Sequence, residues 1–212
     1  MKPSAPFTQS PVRTLLLVSN DRLGRRLVSE LGEQPALLRC FDQSSSWCRV
    51  LKLLRRGSLS PSLVLKMQLA EWNRPNYPAP EIGAIHNNAE LVSLIRKHDI
   101  QRVYLFRAGL IVGRAVLDTG AEILNTHCAA LPDYGGLGSI ARALAAGDLA
   151  QCATLHRVTE SIDSGEVLAT EPYVMDAGLS YAANEARAYD AGLRLLLREL
   201  TTDISGFPKG HQ

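Results

Sequence analysis

Residues Thr14 to Phe41 read TLLLVSNDRLGRRLVSELGEQPALLRCF. The first six are an apolar run ending in turn residues, which predicts a buried strand over Thr14–Ser19. Asp21 is placed to cap a helix reaching about Leu31, with Leu23, Leu27, Val28 and Leu31 on one face. Gly32 is a natural stop, and Ala36–Phe41 is a second apolar strand. Strand, helix and strand joined by short loops open a parallel α/β sheet. The turn SNDRLG between the first strand and helix carries only Gly24. A glycine-rich phosphate cradle needs closely spaced glycines so that backbone N–H groups can approach the anion. An ordinary strand–helix turn is expected there.

Outward from this unit the same alternation continues. Ser44–Arg56 predicts a helix with Trp47, Val50, Leu51 and Leu54 on one face and a solvated basic face. Leu63–Ala70 shows no clear period, and Glu71–Glu81 carries three prolines and is expected to be a loop. Asn87 or Asn88 starts a helix with Leu91, Leu94 and Ile95 inward. Strands are predicted at Arg102–Phe106, Ala121–Thr126, Cys152–Val158 and Glu166–Val174. Helices are predicted at Val112–Asp118, Ser139–Ala146 and Leu179–Leu200. Leu131–Gly138 (LPDYGGLG) is a loop by its proline and glycines. The expected architecture is Rossmann-like: a mostly parallel sheet flanked by helices. The expected division is a leader at 1–12, a single domain at 13–203 and a tail at 204–212.

The 212 residues, 46% of them apolar, suffice for one full core. A net charge of +2 gives no general pull towards nucleic acid or membrane, and neither partner is expected. The first thirteen residues hold no apolar stretch of the kind a signal peptide needs. Cys40, Cys48, Cys128 and Cys152 show no CxxC spacing, so reduced thiols in a cytoplasmic protein are expected. The long last helix and Glu71–Glu81 are candidate faces for a homodimer.

The chemistry concentrates in Ile123–Gly165, which opens ILNTHCAALPDYGGLGS and closes with HRVTESIDSG. Asn125 and His127 are two apart on a strand and so share a face. With Asp163 they would suit acyl transfer. An amide N–H can stabilise an oxyanion, a histidine can move a proton and a carboxylate can orient it. Cys128 should point to the opposite face, which disfavours a Cys–His dyad. His127, His156 and Asp163 can be imagined as metal ligands, but their spacing matches no usual pattern and no metal is expected. On spacing alone, a polar strand end satisfied by loop backbone remains the simpler reading of Asn125 and His127.

A resemblance shifts that balance. NTHCAALPDYGG resembles the N-x-H-P-S-L-L-P-x-Y-x-G loop of folate-dependent formyltransferases. ALAAGD resembles the helix end of that family, and TLHRVTESIDSGEVL its strand and D-x-G turn. FRAGLI resembles the segment lining its folate pocket. The clear match runs from about Arg102 to Val174. The resemblance implies the formyltransferase fold, 10-formyltetrahydrofolate as formyl donor and a small-molecule amine as acceptor. It also implies Asn125 as oxyanion stabiliser, His127 as acid/base and Asp163 as orienter and proton acceptor. Ala108, Gly109, Ile111, Val112, Gly113, Arg114, Glu160, Ser161 and Ile162 would line the folate pocket, with backbone of 111–114 and 159–163 on the pterin edge.

Three departures stand out. Cys128 and Ala129 replace the usual Pro and Ser, and Gly135 stands where many members have Arg or Pro. The glycine-rich turn that glycinamide ribonucleotide transformylases use for a ribose phosphate is not matched. No room is seen for the extra domain with which methionyl-tRNA formyltransferases hold tRNA. An amino sugar nucleotide, an amino acid derivative or a natural-product intermediate is the expected acceptor. The alternatives are a 10-formyltetrahydrofolate hydrolase, a glycinamide ribonucleotide transformylase-like enzyme or a non-catalytic folate-binding module.

Overall fold

The computed structural model describes residues 13–44, 54–55, 57 and 60–205. The helix expected over Ser44–Arg56 falls almost wholly outside them, as do the leader 1–12 and residues 206–212. In chain order the elements are β1 (Thr14–Ser19), α1 (Arg22–Leu31), β2 (Leu37–Asp42), α2 (Pro61–Asn73), β3 (Gly83–Ile85), α3 (Asn88–His98) and β4 (Arg102–Phe106). There follow α4 (Arg114–Leu117), β5 (Glu122–His127), α5 (Ser139–Ala146), β6 (Ala150–Arg157), β7 (Val167–Val174) and α6 (Tyr181–Ser205).

The strands form one sheet in the order β3-β2-β1-β4-β5-β6-β7. The pairings from β3 across to β5 are parallel, whereas β6 runs antiparallel to β5 and β7 antiparallel to β6. The fold is thus the expected Rossmann-like, mostly parallel sheet. Alternation along the strands divides the core between the two faces. Leu16, Val18, Tyr104, Phe106 and Leu124 pack with α1, α5 and α6. Leu15, Leu17, Val103, Leu105 and Ile123 pack with α3 and α4.

Helix α1 forms as its sequence dictates. The Asp21 carboxylate accepts from the Gly24 N–H, and Gly32 ends the helix at φ 60°. Leu23, Leu27, Val28 and Leu31 are buried along it, each stabilising the fold by roughly 1.5–3 kcal/mol relative to exposure. Helix α6 runs to Ser205, so residues 204 and 205 extend the helix rather than the expected tail. The Tyr104 hydroxyl donates to Asp203, and Arg102 Nη1 is 2.5 Å from the same carboxylate, which ties this last turn to the sheet.

Two elements differ from the sequence reading. The aperiodic Leu63–Ala70 and the first part of the expected loop, Glu71–Asn73, form α2. Its signals are at its start: Ser60 caps it through the Leu63 N–H, and proline stands in its first turn. Only Ala70 is buried along it, so no helical period shows in its apolar residues. Strand β3, three residues on the sheet edge beside β2, was not expected.

The topology places the site. The chain leaves β1 outward to β2 and β3, then returns to β4 on the other side of β1. Ligands of open α/β sheets bind at such a switch, outside the carboxyl ends of the strands. The turn after β1, the segment after β4 and the end of β5 all lie on that edge.

Candidate active site

Strand β5 delivers Asn125 and His127 on the same side as Ile123, while Leu124, Thr126 and Cys128 face the other way. An added Cβ on Gly192 of α6 would come 2.7 Å from Cys128 Sγ and 3.6 Å from Thr126 Cγ2. Cys128 therefore packs against a helix on the face away from His127, as its place after His127 predicts. Burial pushes its thiol up to about 12, so the thiolate that a nucleophile requires is suppressed.

Asp163 comes from the turn after β6 and adopts φ 49°, a left-handed conformation that aspartate tolerates better than most residues. Its Oδ2 accepts from the Gly136 N–H at 2.7 Å and lies 3.5 Å from His127 Nδ1. One carboxylate thus joins the 131–138 loop to the D-x-G turn and faces the histidine. Two glycines make this possible by space. An added Cβ on Gly135 would stand 3.3 Å from Asp163 Cβ, and one on Gly165 would collide with the carbonyl of Arg157. A larger residue at 135 would require Asp163 to give by a few tenths of an ångström, whereas Gly165 tolerates no side chain where it stands.

The hydrogen bonds assign the tautomers. His127 Nε2 is 2.8 Å from the Tyr134 carbonyl, which can only accept. Nε2 therefore carries the proton, and Nδ1 faces Asp163. The sequence reading weighed His156 only as an imagined metal ligand; in the structure it is a fourth member of this cluster. It pairs directly with Asn125 across the antiparallel β5–β6 register. Its Nδ1 is 3.1 Å from the Arg157 carbonyl, and so donates there. Its Nε2 lone pair then accepts from Asn125 Nδ2 at 3.1 Å. Asp163 Oδ1, at 3.5 Å from the same nitrogen, is beyond good hydrogen-bond range. Burial lowers the pKa of His156, outweighing the upward pull of Asp163, so the ring is neutral. Neutral His156 fixes which way the Asn125 amide points. Among the described residues no group of three or more His, Cys, Asp or Glu is arranged to hold a metal ion.

The residues expected to line a folate pocket meet on this edge. Arg114 Nη1 is 2.8 Å from Glu160, bridging the post-β4 segment and the D-x-G turn. Ile111, Leu137 and Ile162 are exposed apolar side chains, at 57%, 54% and 70%, on the three segments around the site. Part of the backbone is already engaged: Asn88 donates to the Ile111 carbonyl at 3.0 Å and accepts from the Gly113 N–H at 2.9 Å. The Leu110 N–H donates to Asp42 at 2.8 Å. These bonds hold the segment containing Ala108, Gly109 and Val112 in place. Ser161 gives its carbonyl to the Thr159 hydroxyl, which shapes the facing turn.

A family model described as formyl transferase matches residues 80–200, more than half of the chain. Methionyl-tRNA formyltransferase of Rickettsia typhi is 27% identical over 114 residues, which cover 53% of this chain and 38% of that protein. The chain thus spans well under half the length of this relative. Glycinamide ribonucleotide transformylase 1 from Symbiobacterium toebii superposes with a TM-score of 0.66 at 16% identity, over 95% of this chain and 93% of that one. A formyltetrahydrofolate deformylase from Pseudomonas syringae gives 0.66 at 21% identity, over 93% and 63%. At such identities the two superpositions speak for the fold.

Proposed function

The chain belongs to the formyl transferase family, and from that premise we propose that it moves a formyl group from 10-formyltetrahydrofolate to the amine of a small molecule. The observation that carries the reading is the meeting of Asn125, His127 and Asp163 on one sheet edge, joined by their hydrogen-bonding partners.

The donor, held against Ile111, Ile162 and the Arg114–Glu160 bridge, supplies an electrophilic formyl carbon. The apolar side chains suit one flat face of a pterin, and backbone polar groups of both segments suit its edge. Asn125 has a second Nδ2 hydrogen beyond the one committed to His156. It would donate that hydrogen to the formyl oxygen as negative charge develops there. A pre-oriented amide costs no reorganisation at that moment. The attacking nitrogen forms its bond to carbon as an unprotonated amine, then loses a proton. His127 is set to take it at Nδ1, since its Nε2–H is held by Tyr134. The resulting imidazolium would sit between the Tyr134 carbonyl and the Asp163 carboxylate, with one ring nitrogen facing each. His127 then returns the proton to the leaving nitrogen of tetrahydrofolate as the old C–N bond breaks.

Purified protein incubated with 10-formyltetrahydrofolate and a panel of primary amines tests the proposal. Tetrahydrofolate release that requires an amine, with a formylated product found by mass spectrometry, is the expected result. Release at the same rate without any amine would assign hydrolysis instead. Binding without turnover across the panel would assign a folate-binding module.

A further inference from the structure

The N-terminus of α1 lies on the same sheet edge, beside the end of β4 and two strands from Asn125. A helix N-terminus in such a place is a ready anion site, because its first N–H groups are unpaired and the dipole favours negative charge. In this chain two internal carboxylates hold it. Glu71, from the last turn of α2, accepts from the Arg22 N–H at 2.8 Å. Asp21 accepts from the Gly24 N–H at 2.8 Å.

Both carboxylates are locked by further contacts. Asp21 pairs with Arg107 at 2.7 Å, and Arg107 lies over the Tyr189 ring at 4.4 Å. Glu71 pairs with Arg74 at 2.5 Å, and Arg74 also pairs with buried Glu185. The Arg22 guanidinium is spent on the carbonyls of Trp72, at 2.6 Å, and Arg74. Two arginines, Arg74 and Arg107, thus pair with three carboxylates, Asp21, Glu71 and Glu185. A phosphate brought to α1 would meet the Arg22 and Gly24 N–H groups already taken by carboxylates.

We infer that Glu71 and Asp21 are specificity determinants: they stand in the place of a substrate phosphate, so the acceptor is an amine with no phosphate directed at α1. This rests on the proposed formyl transfer to an amine, but its test does not require turnover. Inorganic phosphate is titrated into the protein through the millimolar range while the backbone amides of Arg22, Leu23 and Gly24 are followed by NMR. Wild type should show no saturable shift at these amides. Glu71→Ala should gain saturable binding there, with an affinity about ten-fold or more above the limit set by wild type, the order expected of removing one partly buried charge beside a helix terminus. Glu71→Gln keeps an acceptor for the Arg22 N–H without the charge, and it should fall between the two. Saturable phosphate binding by wild type at these amides, or no gain in either variant, overturns the inference. Formylation of an amino phosphomonoester faster than of its dephosphorylated partner also overturns it. Phosphate exclusion in a protein that formylates no amine would overturn the functional proposal alone.

Discussion

Gly165→Ala tests whether the position of Asp163 depends on a single close approach. Gly165 is not at a positive φ, so alanine is conformationally acceptable; the obstacle is space. The new methyl would overlap the Arg157 carbonyl, with Thr159 Cγ2 also at 3.2 Å. Neither neighbour yields cheaply, because Arg157 lies in β6 and its N–H is bonded to the Glu166 carbonyl at 2.9 Å. Overpacking of this kind costs about 1–3 kcal/mol. At roughly 2–4 °C per kcal/mol for a chain of this size, Tm should fall by about 2–12 °C. The backbone between 159 and 165 must move outward, and Asp163 moves with it. That lengthens its 2.7 Å bond to Gly136 and its 3.5 Å approach to His127. A displacement near 1 Å is worth about 100-fold in rate. Thermal unfolding by circular dichroism and formyl-transfer kinetics give both readings. Glu166→Ala, on an exposed side chain in a long 3.5 Å ion pair, serves as the control and should change neither. A Gly165→Ala protein with wild-type Tm and wild-type turnover would refute the reasoning.

Asn125→Ala and Asp163→Ala should each lower turnover by about two orders of magnitude or more; near-normal rates in both, by tetrahydrofolate release, would remove them from the chemistry. His156 is neutral in the fold, with its pKa below the ordinary 6.5, so the unfolded chain takes up a proton at this residue that the folded chain refuses. Its contribution to stability therefore falls as pH drops through the unfolded value. Tm measured from about pH 8 to about pH 5 should fall more steeply in wild type than in His156→Gln, and parallel curves would contradict a ring held neutral by burial. Cys128, buried and with its thiol pushed up to about 12, should resist iodoacetamide in the native protein and react after denaturation. Native alkylation at Cys128 found by mass spectrometry would overturn its packing against α6.

Strands β1 and β4 could be read to the residue because each is an apolar run bounded by polar turn residues. Helix α1 was equally open, with a cap, a buried face and a glycine stop in sequence order. Helix α2 was not, because Leu65, Leu69 and Trp72 are exposed and its apolar residues report no core. In the site, the i, i+2 spacing gave Asn125 and His127 a common face. Asp163 was grouped with them by its chemistry, the resemblance then gave it a role, and the structure supplies the reason for its turn in the contact at Gly165. The pairing of His156 with Asn125 was hidden because it is set by the β5–β6 register, which no local pattern reveals. The cluster around Glu71 and Arg107 draws on α1, α2, the end of β4 and α6, through contacts that span 49, 86 and 111 positions in the sequence. Only the folded topology brings them together.

Strand β5 has two working sides. One carries Asn125 and His127, the pair proposed for the reaction, and the other seats Thr126 and Cys128 against Gly192. The depth at which α6 rests on that strand is therefore also a setting for Asn125 and His127, adjustable without altering either. Positions 128 and 192 form a lock: a bulkier residue at one demands a smaller one at the other. Directed evolution of this scaffold toward new amines would do well to vary the two together, as a fine adjustment of pocket geometry made from inside the core.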